Sequence, residues 1–200
     1  YEDFEPYIEQ ARQGKPDIFW PGYIRKFAKS SGTTNAKSKF IPISEESLED
    51  CHFKAGKDLV SIYANNHPDN SLFLNKNLRL GGSSELYEDF NTKFGDLSAI
   101  MIENLPFWVE ITTTPSKKVS LMSEWESKLS AIIAEVRNED VGSFSGVPSW
   151  MMVLLQRVLT ETGHQNISEL WPNLEVFFHG GISFKPYKEQ KKKIIGKDIN

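Results

Sequence analysis

Apolar positions along this chain follow two periods that take turns. Leu48, Cys51, Ala55, Leu59, Ile62 and Tyr63 fall at helical spacing, which predicts a helix running to about Asn65 with these side chains packed inward. Ser44 is its natural N-cap, and Glu45 and Glu46 occupy the first turn, where the helix dipole favours acids. Leu121, Trp125, Leu129, Ile132, Ile133 and Val136 mark a second amphipathic helix, capped by Ser120 or Ser123, with Ser123 and Glu126 spaced as a capping box. Helices are also predicted over Glu2–Gln13, Leu97–Asn104, Pro148 to about Thr162, and from Ser183 onward. Between them lie short runs of strand character: Tyr23–Ala28, Phe40–Ile43, Ser71–Leu80 (as one strand or two), Val141–Ser145 and Leu174–Phe178. Strands and helices alternate, so the predicted class is α/β, with a layered, largely parallel sheet flanked by helices.

Composition narrows the picture a little. The 200 residues are 39% hydrophobic, enough for one ordinary core in one domain or slightly more. A net charge of −4, from 27 acidic and 23 basic residues, leaves no electrostatic footprint for nucleic acid. Lys191, Lys192 and Lys193 form a compact basic cluster that reads as a solvated helix face. The single cysteine, Cys51, excludes an internal disulfide and reads as semi-buried filler in a reducing compartment. No apolar run approaches the ~20 residues a membrane span needs. Neither His, Cys nor carboxylate spacing suggests a transition-metal site.

Candidate chemistry concentrates between the strands Tyr23–Ala28 and Phe40–Ile43. Ser30-Ser31-Gly32-Thr33-Thr34-Asn35-Ala36-Lys37-Ser38-Lys39 offers backbone N–H groups, hydroxyls and ammonium charges to one anion. Polyphosphate uses all of these together, and Gly32 lets the backbone approach it closely. The Walker spacing is absent, and such a composition also suits an ordinary polar turn. A second phosphate loop at Gly81–Ser84 competes with a plain tight turn. Gly146-Val147-Pro148 and Gly180-Gly181 are further turns placed after predicted strands, where α/β sheets gather ligands.

The string Ser30–Thr34, followed by Lys39-Phe40-Ile41-Pro42, resembles the phosphate-binding loop of adenylate-forming enzymes, within them the auxin-responsive acyl-acid amido synthetases and their bacterial relatives. Gly146–Leu155, Leu170–Glu175 and His179–Tyr187 are similar to further motifs of that branch, and family-like segments run in order from about Tyr7 to Tyr187. Asn35 stands where many relatives have Gly; Asn tolerates left-handed backbone angles. Both Lys37 and Lys39 are candidates for the phosphate-contacting lysine, and alignment through Lys-Phe-Ile-Pro favours Lys39.

The resemblance implies a function. Residues 1–200 would form part of a large N-terminal adenylation domain, in a longer chain carrying the later nucleotide motifs and a C-terminal lid; alone they are expected not to turn over. ATP, with Mg²⁺, would activate a carboxylic acid as an acyl-adenylate, with the acyl group then passing to an amine such as an amino acid. Transfer to a thiol, as in acyl-CoA ligases, and a non-catalytic nucleotide-binding module are the alternatives. Ser30, Ser31, Gly32, Thr33, Thr34 and Lys39 would hold the polyphosphate, with Thr34 and Lys39 acting on the leaving pyrophosphate. Gly180, Gly181 and Ser183 would lie against adenine and the acyl group. Trp150, Phe178 and His179 would face the acid. The implied setting is cytoplasmic, with no nucleic-acid or membrane partner.

Overall fold

A computed structural model describes residues 1–30, 38–81, 86–181 and 183–200. In chain order come α1 (Glu5–Arg12), β1 (Lys26–Lys29), β2 (Phe40–Ile43) and α2 (Lys54–Asn66). Then follow β3 (Lys76–Leu80), β4 (Leu86–Asp89), β5 (Thr92–Gly95), α3 (Leu97–Glu103), α4 (Phe107–Thr112), β6 (Thr113–Thr114) and α5 (Lys117–Ser120). The remainder is α6 (Trp125–Val136), β7 (Val141–Gly146), α7 (Pro148–Thr162), α8 (Ile167–Leu170), β8 (Val176–His179) and α9 (Lys188–Ile195). Two units divide these elements: Tyr1–Asn66 with Gly82–Asn104, and His67–Gly81 with Leu105–Asn200.

The first unit is built on a mixed sheet of strand order β2-β1-β5-β4. β1 pairs antiparallel with β2, from Lys26↔Ile43 to Lys29↔Phe40, and parallel with β5. Pro42 cannot donate to a ladder, which suits its place on the edge strand. Phe27, Ile24, Ile8 and Ala11 form the buried centre, with Phe40 and Phe94 packed against it. Arg12 lays its guanidinium 3.9 Å from the centre of the Phe40 ring.

Ser44 does take the capping role: its hydroxyl accepts from the Ser47 N–H at 3.0 Å. The helix it opens differs from expectation. Ser47–Phe53 winds as a wider π-helix before α2 begins, which shifts the phase of the apolar positions. Leu48, Phe53 and Tyr63 are buried, whereas Cys51, Ala55, Leu59 and Ile62 are exposed. Cys51 is therefore a surface residue rather than semi-buried filler.

The second unit holds the parallel sheet that the strand–helix alternation predicted, in the order β6-β3-β7-β8. Leu78, Leu80, Phe144 and Phe177 share one core with Leu129, Ile132, Ile133 and Val136 of α6 and Met151, Leu154, Leu155 and Val158 of α7. Ile194 and Ile195 of α9 join them. Pro148 opens α7 at the first turn, where its missing N–H costs nothing, and Gly163 ends it in the left-handed conformation at φ 75°. The cap of α6 is a correction: neither Ser120 nor Ser123 serves. Glu124 does, its carboxylate accepting from the Ser127 N–H at 2.7 Å and the Glu126 N–H at 3.0 Å. Those bonds lower its pKa, with the Ser127 bond the main cause. Ser120 instead ends the short α5, which the sequence pattern does not announce. Among the described residues no helix is long and apolar enough to cross a membrane.

Gly146 is where the parallel pairing leaves no room. It stands opposite Leu80, and a Cβ built there would lie 2.7 Å from the Leu80 carbonyl oxygen. Backbone cannot yield as a flexible side chain does. Gly146→Ala is expected to destabilise the chain by about 1–3 kcal/mol, read from the denaturation midpoint by circular dichroism. An unchanged midpoint would mean that the β3–β7 spacing is not tight.

Candidate functional site

Register decides what gathers at the carboxyl end of the parallel sheet. Leu80 pairs with Gly146, and Gly146 with His179, so β3, β7 and β8 end level with one another. Each strand then turns: into Gly81, into Val147-Pro148, and into Gly180-Gly181. The last two turns touch, since a Cβ on Gly181 would stand 3.7 Å from Cγ2 of Val147. Ligands in open α/β sheets bind at this edge.

The two glycines of the third turn are there for different reasons. Gly181 has φ +83°, a left-handed conformation that L side chains rarely adopt. Gly180 has no such constraint, and among the described residues a Cβ there would meet nothing within 4 Å. The space beside Gly180 is open, which suits a flat group lying on backbone. Ser183 is exposed just beyond.

His179, at the tip of β8, stacks on Phe184 with ring centres 4.4 Å apart and planes 23° apart. Phe184 in turn lies against Phe177 and under the Lys191 ammonium, which sits 5.4 Å from its ring centre. Partial desolvation, with a smaller contribution from Lys191, holds the His179 pKa below its ordinary 6.5. The imidazole is accordingly neutral at pH 7, free to accept or donate a hydrogen bond.

Trp150 and Phe178 are not brought together. Trp150 packs edge-on to Trp125 of α6 at 4.9 Å and is 51% exposed on the helix side of the sheet. Phe178 neighbours the core residue Phe177 along the strand, so it points to the opposite face.

The Ser/Thr-rich loop belongs to the first unit, as the connection of the β1–β2 hairpin. Ser31, Gly32, Thr33, Thr34 and Lys37 lie outside the described residues, as do Gly82–Ser84 of the alternative loop. The root of the loop is described. Ser30 N–H donates to the Lys39 carbonyl at 2.9 Å, and Ser30 Oγ accepts from the Lys39 N–H at 3.0 Å. Ser30 thus closes the hairpin with both backbone and side chain. The exposed Lys39 ammonium stands 5.1 Å from the Tyr1 ring centre, while the Tyr1 hydroxyl accepts from the Phe40 N–H at 2.9 Å.

The match to a protein-family model covers residues 1–199, and that model describes the GH3 family N-terminal domain. The chain belongs to the GH3 family. Two solved GH3 structures share its fold: GH3.15 acyl acid amido synthetase, with a TM-score of 0.70 at 13% identity, and AtGH3.15 acyl acid amido synthetase in complex with 2,4-DB, with a TM-score of 0.72 at 15% identity. Each alignment covers 98% of this chain, but only 44% and 43% of the respective relative. The chain therefore spans less than half the length of these GH3 relatives. No curated protein sequence matches it.

One feature of this GH3 domain had no signal in the sequence. A cleft of about 460 Å³ in the first unit is walled by Phe19, Trp20, Ile24 and Pro42 and closed by Ser44, Glu46, Ser47 and Asp50. Hydrogen bonds from its own backbone N–H, from Trp20 and from Ser44 lower the Glu46 pKa. Trp20-Pro21-Gly22 reads as a loop, and only the fold reveals that its indole meets the cap of the following helix.

Two measurements follow from this geometry. Gly180→Ala is expected to leave the melting temperature within about 2 °C of wild type, while weakening nucleotide binding in calorimetry if a ring lies on that backbone. Gly181→Val tests a different thing, because left-handed strain alone costs about 1–3 kcal/mol. Equal nucleotide affinity for Gly180→Ala and wild type would reduce the turn to a structural element. For His179, Lys191→Met is expected to move the pKa up toward 6.5, followed by the imidazole Cε1 proton shift. Because the native value is depressed, protonation opposes folding, and stability falls as pH drops through the folded-state value.

Proposed function

We propose that this chain works as part of the N-terminal domain of an ATP-dependent acyl-acid amido synthetase in the cytoplasm. Membership of the GH3 family over residues 1–199 carries this reading. The level strand ends and the open face at Gly180 support it. In the proposed reaction a carboxylate oxygen of the acid attacks the α-phosphorus of ATP. The bond from the α-phosphorus to the α,β-bridging oxygen breaks, that oxygen leaves with pyrophosphate, and acyl-adenylate forms. An amine, such as that of an amino acid, then attacks the acyl carbon and AMP departs.

Little covalent work is left to the protein in such a transfer; catalysis is positioning and charge stabilisation. Ser30, Ser31, Gly32, Thr33, Thr34 and Lys39 hold the β- and γ-phosphates in this reading. Thr34 and Lys39 neutralise the charge that collects on pyrophosphate as it leaves. The tied root at Ser30 and Lys39 fixes where the loop begins and ends, so the lysine backbone is preorganised. Gly180, Gly181 and Ser183 take the adenine and acyl side, with Phe178 and the neutral His179 facing the acid and Trp150 further out. Mg²⁺, when bound with ATP, would supply charge neutralisation to the phosphates.

Pyrophosphate exchange in the full-length protein tests the assignment. Lys39→Ala is expected to slow acid-dependent exchange by about 10²-fold, with little change in melting temperature because the side chain is exposed. Wild-type exchange in both Lys39→Ala and Lys37→Ala would remove the lysine from the mechanism. Residues 1–200 alone are expected to show no robust exchange. Mass spectrometry of the product with amino acids and with coenzyme A then identifies the acceptor.

A further inference from the structure

The parallel sheet has two unlike faces. Leu78 and Leu80 of β3 and Phe144 of β7 point into the helix-covered core. By alternation Asn77 and Arg79, and Ser143 and Ser145, project from the other side. Register sets them in two rows, Asn77 beside Ser143 and Arg79 beside Ser145. Parallel strands are usually apolar on both faces, so a polar side is a departure with a cost.

Asn77 is hydrogen-bonded at both ends of its amide on that face. Its Nδ2 donates to Ser143 Oγ at 2.9 Å, and its Oδ1 accepts from Ser145 Oγ at 2.7 Å. Arg79 is less well satisfied. Its Nη1 reaches Thr113 Oγ1 at 3.3 Å and its Nη2 reaches Ser120 Oγ only at 3.5 Å, both neutral hydroxyls. Among the described residues, Nε is buried and has no hydrogen-bond partner. Among the described ion pairs none includes Arg79, and Glu110, the acid that acts on it electrostatically, is engaged by Lys117 at 3.2 Å. Burial pushes the Arg79 pKa down to about 10, against the smaller opposing influence of Glu110. A guanidinium withdrawn from water without a counter-charge is a destabilised arrangement unless something else completes it.

We propose that Arg79 anchors a carboxylate-binding subsite on the polar face of the β6-β3-β7-β8 sheet. This rests on the synthetase reading and extends it to an anionic group of the substrates. The carboxylate bound here is one the reaction does not consume. A bidentate guanidinium withdraws charge from the oxygens it holds and so weakens them as nucleophiles, which is wrong for the group that must attack phosphorus. Two sources carry such a spare carboxylate: a second acidic group on the acid to be activated, or the α-carboxylate of an amino-acid acceptor. The planar fork of the Arg79 guanidinium matches either.

The test is a ¹⁵N–¹H titration of the labelled 200-residue chain, following the Arg79 Nε–Hε signal assigned by its loss in Arg79→Lys. Glutarate represents the diacid, alanine the acceptor, and sodium chloride controls for ionic strength. A saturating shift of that signal with glutarate points to the acid, and one with alanine points to the acceptor; either supports the subsite. Arg79→Lys keeps the charge but loses the fork, and is expected to bind the effective ligand at least about tenfold more weakly, read from amide shifts of Ser143 and Ser145. No saturable shift with either carboxylate, or one matched by chloride, overturns the proposal. The wild-type titration decides even if the variant folds poorly. Adenylation plays no part in the readout, so failure here leaves the pyrophosphate-exchange result to judge the synthetase reading separately.

Discussion

Parallel hydrogen bonding between β3, β7 and β8 is the constraint on which the candidate site depends. Because Leu80, Gly146 and His179 share one row, the three turns that follow begin at the same height. That alignment is a property of backbone register. It would be lost by a single-residue slip, which would also turn Leu78, Phe144 and Phe177 out of the core. The buried face therefore fixes the site geometry indirectly. Gly146 shows how closely the two demands are coupled, since its missing side chain admits the neighbouring carbonyl.

Much of this was legible in the residues. The amphipathic stripe of α6, the Pro148 start of α7 and its end near Thr162, the capping serine at position 44 and the strand–helix alternation of the second unit all follow from local rules that tertiary packing did not override. The motif strings led to the family that the comparison over residues 1–199 establishes. What failed to show has physical causes. A π-helical segment breaks the period of 3.6 residues, so the apolar positions after Leu48 no longer mark an inward face. The β4–β5 hairpin turns through Phe90 and Asn91 at positive φ, and the phenylalanine gives no turn signal. The two-residue β6 is too short to carry a pattern, and α5 is only four residues long.

Side-chain roles were harder to read than elements. Phe177 and Phe178 are identical in composition, yet one is core and the other faces away. Gly180 and Gly181 look interchangeable in sequence, and only backbone angles separate the glycine that is conformationally required from the one that leaves space. His179 could not be ranked from sequence, because its stacking partner Phe184 and the cation beyond it come from the far side of a turn.

The unlike faces of the parallel sheet carry a consequence for how this domain tolerates change. Along β3 and β7, neighbouring residues answer to different pressures: one looks into a close-packed apolar interior, the next onto a hydrogen-bonded polar face. Mutational sensitivity along each strand should thus oscillate residue by residue. Lesions at the even-numbered positions Leu78, Leu80 and Phe144 fall on abundance, and those at the odd-numbered Asn77, Arg79, Ser143 and Ser145 fall on chemistry instead. A drifting lineage could then retune what the polar side recognises while the interior stayed nearly unaltered, so specificity and foldability would evolve as separable traits carried on the same few strands.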